Sequence, residues 1–197
     1  MAFINLMEII DIIIMSLGVG YIFMDMFLGK KPQYNLEGIP VLRSGFDWNA
    51  LWFSVIVTAP ALVLHEFGHK LSALAFGYSA EIHASYVFLA IAIALKLMGS
   101  PILFFVPAYA AISGGSQSVI AMSIISFSGP LVNLVIWLGI SVYLKYAKKI
   151  KRDYLEIFTA TKKINKFLFF LNMVPLPFFD GWKAIVVPLI ELFKFIF

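Results

Sequence analysis

The pattern H-E-x-x-H, formed by His65, Glu66 and His69, lies inside a long apolar segment of the chain. Residues four apart on a helix project from the same face, so both imidazoles can bind one metal ion. Two neutral imidazoles, a third ligand from elsewhere in the chain and a water molecule make a typical catalytic zinc site. Glu66 follows the first histidine and can reach that water to take its proton. The spacing therefore predicts one zinc ion per chain, held by His65 and His69, with Glu66 as general base.

The apolar setting of this motif indicates a membrane protein. Of the 197 residues, 61% are hydrophobic and 13% are charged, whereas a soluble domain has roughly 45–50% apolar and about 25% charged residues. Two histidines and a glutamate within a membrane span are costly unless they are paired or bound to metal, which favours a functional site over a chance match. The chain has no cysteine, so disulfides and thiolate ligands are excluded.

Three apolar segments are each long enough to cross the hydrocarbon core of a bilayer, which takes about 20 residues. They cover residues 4–28, about 51–76 and 119–144. The first segment lacks a basic start and carries Glu8 and Asp11. We therefore expect it to be retained in the mature protein, with both carboxylates at the membrane interface.

The stretch 82–112 is apolar but is interrupted by Pro101 and Pro107. We expect either a re-entrant element or a short helix, over 87–98, with a strand, which membrane depth tolerates only where protein or water covers it. Pro101 and Pro107 have no N–H to donate, so the backbone around residues 102–112 is predicted to offer an open edge to a guest segment. We interpret His83, at the mouth of this stretch, as an interfacial histidine in preference to a metal ligand.

The apolar segment 119–144 contains Ser128, Gly129, Pro130 and Asn133 near its middle. Small residues let helices approach closely in a membrane. The pattern predicts a kinked packing site at Gly129 and Pro130, and a hydrogen bond from Asn133 to a neighbouring helix.

A basic loop follows this segment, and its charged residues are Lys145, Lys148, Lys149, Lys151, Arg152, Lys162, Lys163 and Lys166. We interpret it as a surface that faces solvent or lipid headgroups, because no aromatic platform for nucleic-acid bases accompanies the charges.

If residues 82–116 enter and leave the membrane on one side, this basic loop shares a face with residues 29–50. The positive-inside rule then predicts that this face is cytoplasmic and Met1 is outside. This charge argument places the zinc site nearer the external side, and a site nearer the cytosol is the alternative.

The last polar stretch before the chain end runs from Asn172 to Gly181. Pro175 and Pro177 bias its backbone away from helix. Asp180 is thus a carboxylate among aromatic residues in an apolar region, where an unpaired charge is costly. A zinc ion held by two neutral imidazoles is the strongest partner that this chain could supply to it.

Together these motifs resemble the site-2 protease family of intramembrane zinc metalloproteases. The resemblance rests on H-E-F-G-H at 65–69, S-G-P-L-V-N at 128–133 and N-x-x-P-x-P-x-x-D-G at 172–181, and it covers residues from about 50 to 182. The third histidine that extends the motif in metzincins is absent, because Ala75 occupies that position. Its absence supports a distant third ligand.

The resemblance implies a role for each polar residue of these motifs. His65, His69 and Asp180 would be the zinc ligands, and Glu66 would be the catalytic base. Asn172 would contact the substrate or the developing oxyanion.

We therefore expect an all-α polytopic membrane protein, a bundle of about four to six transmembrane helices with the re-entrant or β-hairpin element near the active site. Residues 1–197 would form a single membrane-embedded metalloprotease domain in a cell membrane. It would be a zinc-dependent endopeptidase that hydrolyses peptide bonds of transmembrane protein substrates, with membrane lipid and no nucleic acid as further partners. The alternative is a zinc-binding membrane scaffold or transporter without protease activity. The retained Glu66 argues against a scaffold, and the clustering of ionisable residues in one place argues against a transport path.

Overall fold

The structure is a computed structural model, and it describes residues 3–27, 33–34, 40–41, 46–100 and 108–196. The helices are α1 (Leu6–Phe27), α2 (Trp48–Ala75), α3 (Tyr86–Leu97), α4 (Val119–Tyr146), α5 (Arg152–Asn172) and α6 (Val187–Ile196). A π-helical turn at Trp182–Val186 precedes α6. The strands are β1 (Gln33–Tyr34), β2 (Pro40–Val41), β3 (Ser79–Ala84) and β4 (Ala108–Ser113).

Three of the described helices, α1, α2 and α4, are long and apolar enough to cross a membrane. They coincide with the three apolar segments of the sequence, and they indicate a membrane protein. The prediction of about four to six such helices was too high for this part of the chain. Helix α5 has 21 residues, but charged residues recur from Arg152 at its start to Lys166 in its last third. Helices α3 and α6 have only 12 and 10 residues, short of the about 20 that a span needs.

Helices α2 and α4 begin at polar caps and continue through internal prolines. The Asp47 carboxylate accepts a hydrogen bond from the Ala50 N–H at 3.0 Å and satisfies one free donor at the start of α2. Ser118 caps α4 in the same way. Helix α2 runs through Pro60 and α4 through Pro130.

Helix α2 is the centre of the bundle and packs against α1, α4 and α5. Its neighbours α1 and α4 both run antiparallel to it. On the α4 side, His69 lies against Ile125 while Ala61, two turns earlier, bonds to Asn133. The end of α1, the start of α2 and the end of α4 therefore share one end of the bundle.

Strands β3 and β4 form an antiparallel pair in which Ser79 lies opposite Ser113 and Ala84 opposite Ala108. The chain therefore leaves and returns at one place, with α3 between the two strands. Helix α3 confirms the predicted short helix. The β3–β4 pair corresponds to the expected strand element, although the start of β3 at Ser79 was not predicted. Pro101 and Pro107 lie outside the described residues.

Glu8 and Asp11 differ most from expectation, because the structure buries both side chains inside the protein. Glu8 is 1% exposed and forms an ion pair with Lys70 of α2, which is 3% exposed. The same Glu8 oxygen accepts a hydrogen bond from the Ile82 N–H of β3 at 2.9 Å. A buried charge is tolerated only when it is paired and hydrogen-bonded. This carboxylate therefore ties together α1, α2 and β3.

Asp11 lies one turn further along α1 and contacts the start of the re-entrant element. One of its oxygens is 3.2 Å from the His83 Nδ1, and the other accepts a hydrogen bond from the Tyr86 hydroxyl. His83 is thus paired with a carboxylate of α1. Buried ionisable residues therefore occur in a second place besides the H-E-x-x-H motif. The sequence argument against a transporter assumed that they cluster in one place, so that argument is weaker than it was.

Candidate metal centre

The structure brings together three side chains that the sequence places far apart. His65 and His69 project from one face of α2, and Asp180 reaches them from the segment that follows α5. The Asp180 Oδ2 lies 3.1 Å from the His65 Nε2 and 3.3 Å from the His69 Nε2. The two Nε2 atoms are 3.1 Å apart. Within the described ranges, this is the group of histidine and carboxylate side chains whose geometry suits a metal ion.

The outer nitrogen of each histidine has its own hydrogen-bond acceptor. The His65 Nδ1 is 2.6 Å from the Asn133 Oδ1, and the His69 Nδ1 is 2.7 Å from the Ile125 carbonyl oxygen. Both acceptors belong to α4. An amide or carbonyl oxygen can only accept, so both rings carry a proton on Nδ1. In the neutral rings, Nε2 then carries a lone pair that is free to bind a metal.

These constraints make the centre fit a zinc ion. Two Nε2 lone pairs and a carboxylate oxygen converge, and none of these three atoms carries a proton to donate. The three atoms repel one another unless a cation or added protons lie between them. A tetrahedral zinc ion with bonds of about 2.0 Å separates its ligand atoms by about 3.3 Å. The observed separations of 3.1 to 3.3 Å match that spacing. Nitrogen and oxygen ligands in this combination are also the ones that catalytic zinc uses.

Glycines at two motif positions let α2 and α4 approach closely enough for this geometry. A Cβ added at Gly129 would lie 2.3 Å from the His69 Nε2 and 2.8 Å from the His65 Nε2. A Cβ added at Gly68 would lie 2.8 Å from the Ser128 carbonyl oxygen. Gly129 therefore occupies the floor of the centre, where any side chain would meet the ligand atoms.

Asp180 is positioned by the chain reversal between α5 and the π-helical turn. A Cβ at Gly181 would lie 2.4 Å from the Met173 carbonyl oxygen. The chain reversal can therefore close only because the residue that follows Asp180 has no side chain. The Ser123 hydroxyl of α4 donates to the Ala184 carbonyl at 2.6 Å and anchors the turn.

Glu66 faces a small cavity beside the three ligands. The cavity has a volume of about 140 Å³ and is lined by His65, Glu66, His69, Asp180 and Asn172, among others. Glu66 is 3% exposed, and its Oε2 is buried without a hydrogen-bond partner among the described residues. An unpaired buried carboxylate oxygen is costly unless a water or ligand meets it. The cavity is wide enough for such a water.

The structure places Asn172, the last residue of α5, on the wall of this cavity, partly buried. All five residues that the sequence nominated therefore border one space. The predicted interhelical hydrogen bond of Asn133 is confirmed, because its Nδ2 donates to the Ala61 carbonyl of α2 at 3.0 Å. His83 lies outside the group and pairs with Asp11.

One feature of the centre was not predicted from the sequence. Asn165 of α5 is fully buried and accepts a hydrogen bond from the Asn133 Nδ2 at 2.9 Å, although nothing in the basic segment around it indicated a buried polar residue. Ala108, Tyr109 and Ala110 of β4 line the cavity, so the expected strand element lies beside the centre. Which of its residues face the cavity depends on the pairing of β3 with β4, which has no local signature in a stretch of mixed small and aromatic residues.

Comparison of the chain with protein-family models, with curated proteins and with solved structures returned no match.

Proposed function

We propose that the protein is a zinc-dependent intramembrane endopeptidase of the site-2 protease type, a multi-pass protein of a cell membrane. The observation that carries the proposal is the convergence of His65, His69 and Asp180 around a cavity that also holds the unpartnered Glu66 oxygen. A purely structural metal site has four protein ligands and no reason to keep a free carboxylate. Here three ligands and a base share one space, which is the arrangement of a hydrolytic centre.

The residues of the chain would divide the reaction as follows. His65, His69 and Asp180 would hold the metal, which supplies a Lewis acid that activates water and polarises a carbonyl. Glu66 takes the proton from the attacking water while the water oxygen bonds to the carbonyl carbon. Glu66 then gives that proton to the amine nitrogen as the carbon–nitrogen bond breaks. Asn172 would orient the carbonyl or stabilise its developing negative charge.

The substrates proposed are transmembrane proteins, and the sheet suggests how they are held. A peptide bond within a membrane helix is paired and shielded, so cleavage needs a locally extended substrate. In the described part of the chain β4 pairs with β3 alone, and β4 lines the cavity. The outer edge of β3 is different, because its Ile82 N–H is already taken by Glu8. An extended segment can therefore be added along β4, beside the base.

The test has a metal part and a cleavage part. Purified protein should contain one zinc per chain, and His65→Ala and Asp180→Ala should lose it. His83→Ala is the matched control, because His83 is the one histidine outside the centre, and this variant should keep its zinc. Full zinc retention in Asp180→Ala would remove that residue from the ligand set.

Cleavage is measured on a tagged panel of single-span proteins in liposomes. Glu66→Gln should fold and hold zinc but lose proteolysis, because an amide cannot take a proton from water. A rate near that of the wild type in Glu66→Gln would show that the assigned base is wrong. Zinc binding without any cleavage, together with zinc flux across the vesicle membrane, would support the transporter alternative.

A further inference from the structure

A chain of two buried amides connects α5 to one of the histidines of the metal centre. Asn133 and Asn165 are each 0% exposed. Two fully buried amides must satisfy their hydrogen-bonding groups within the protein, so their partners determine which way each amide points.

Backbone carbonyls orient both amides. The Asn165 Nδ2 donates to the Thr161 carbonyl at 2.8 Å, so the Asn165 oxygen points the other way, towards Asn133. The Asn133 Nδ2 donates to that oxygen at 2.9 Å and to the Ala61 carbonyl at 3.0 Å. A carbonyl oxygen can only accept, so neither amide can be reversed without losing these bonds. The Asn133 Oδ1 is therefore presented to His65.

The orientation of the amides decides the protonation of the histidine. The Asn133 Oδ1 lies 2.6 Å from the His65 Nδ1, and an acceptor at this position requires the proton on Nδ1. We infer that Asn133 and Asn165 are positioning residues that hold His65 in the tautomer and ring orientation required for metal binding through Nε2. This inference rests on the proposed function only in naming zinc as the metal.

The two histidines differ in this respect. His69 is oriented by the Ile125 backbone carbonyl, which no substitution of a side chain removes. His65 depends on side chains from two other helices, α4 and α5. The hydrogen-bond partner of a ligand histidine typically contributes about 10–100-fold in metal affinity. The affinity of the centre should therefore be sensitive to a residue of α5 that never contacts the metal.

The experiment measures the zinc dissociation constant of the full-length protein by competition with a chelator. Asn133→Leu removes the acceptor and should weaken zinc binding about 10–100-fold. Asn133→Asp keeps an acceptor towards His65 but sets its second oxygen against the Ala61 carbonyl, so it should weaken binding less than Asn133→Leu does. Asn165→Leu should weaken binding less than Asn133→Leu, because the Ala61 carbonyl still orients Asn133. Ile164→Ala is the matched control, since this buried neighbour of Asn165 belongs to the apolar core and has no side-chain polar group.

A second readout does not depend on zinc. Nitrogen-15 NMR of the zinc-free Asp180→Ala variant reports which nitrogen of the neutral His65 ring carries the proton, because this variant lacks the carboxylate that competes for a proton at Nε2. Asp180→Ala should show the proton on Nδ1, and the double variant Asp180→Ala/Asn133→Leu should show a mixture of tautomers. A proton on Nε2 in Asp180→Ala would overturn the inference even if the leucine variants failed to fold.

The two proposals can fail separately. If the wild type bound no zinc, the proposed function would fail while the tautomer of His65 still tested the role of the amides. If the wild type bound zinc and both leucine variants matched its affinity, the positioning role would be refuted and the metal centre would stand.

Discussion

Gly129→Ala offers the sharpest test of the metal centre, because it adds a single methyl group at the closest approach of α4 to the ligands. The added carbon would lie 2.3 Å from the His69 Nε2 and 2.8 Å from the His65 Nε2. Relaxed contacts between heavy atoms are about 3.5–4.0 Å, so the rings or the helix must move by about 1 Å. Zinc–ligand distances tolerate only about 0.2 Å of change. The methyl group therefore displaces the two nitrogen atoms that are proposed to bind the metal.

The expected result is a loss of zinc that exceeds the effect on folding. Overpacking of this size costs about 1–3 kcal/mol of the free energy of unfolding, partly offset by the about 0.5–1 kcal/mol by which alanine is preferred to glycine in a helix. Zinc affinity should fall by more than the roughly 10–100-fold that loss of an outer hydrogen bond causes. Chelator competition measures the affinity, and thermal unfolding in detergent measures the stability.

Gly139→Ala is the matched control on the same helix. Apart from its chain neighbours and the backbone of its own helix, no atom of the described residues lies within 4 Å of a Cβ added at Gly139. This variant should bind zinc like the wild type and be equally or slightly more stable. Wild-type zinc affinity in a folded Gly129→Ala protein would refute the reasoning, because it would mean that the metal does not lie between the two Nε2 atoms.

Three further predictions address the surroundings of the centre. Lys70→Met should lower the free energy of unfolding by about 3–5 kcal/mol, because it leaves Glu8 buried without its cation, whereas the double variant Lys70→Met/Glu8→Gln should be much less affected. Equal losses in the single and double variants, measured by thermal unfolding, would contradict this pairing. Asn172→Ala should reduce the cleavage rate by about 10²–10³ while zinc content is unchanged, and an unchanged rate would leave Asn172 with only a packing role. Lys149→Cys, in a chain without native cysteine, should resist a membrane-impermeant thiol reagent in intact cells, since the positive-inside rule places this loop in the cytoplasm. Strong labelling without permeabilisation would reverse the proposed orientation.

The sequence predicted the geometry of those site residues that lie close together along the chain. His65 and His69 share a helix face because the helix repeats every 3.6 residues, and this holds wherever the helix packs. Asp180 was nominated because a carboxylate among aromatic residues needs a partner. Its meeting with the histidines, 115 residues away from His65 along the chain, follows only from the packing of α5 against α4 and from the chain reversal that Gly181 permits.

Buried polar residues were the main source of error. Glu8 and Asp11 lie near the start of an apolar helix, and without knowledge of their partners a membrane interface is the natural place for them. Their partners Lys70 and His83 come from other elements, and the start of α1 is covered by β3. Asn165 was missed for the same reason, because a basic amphipathic segment gives no sign that one of its polar residues faces inwards.

The sequence by itself determined the three long apolar helices, the short helix of the re-entrant element and the paired histidines, since apolar length and helical period are properties of a continuous stretch of chain. Only the tertiary structure decided which side chains meet. The pairing of β3 with β4, the burial of Glu8 and the path from Asn165 through Asn133 to His65 all depend on contacts between distant segments. Such contacts are selected by the packing of whole helices, and no local pattern specifies the partner of a polar group.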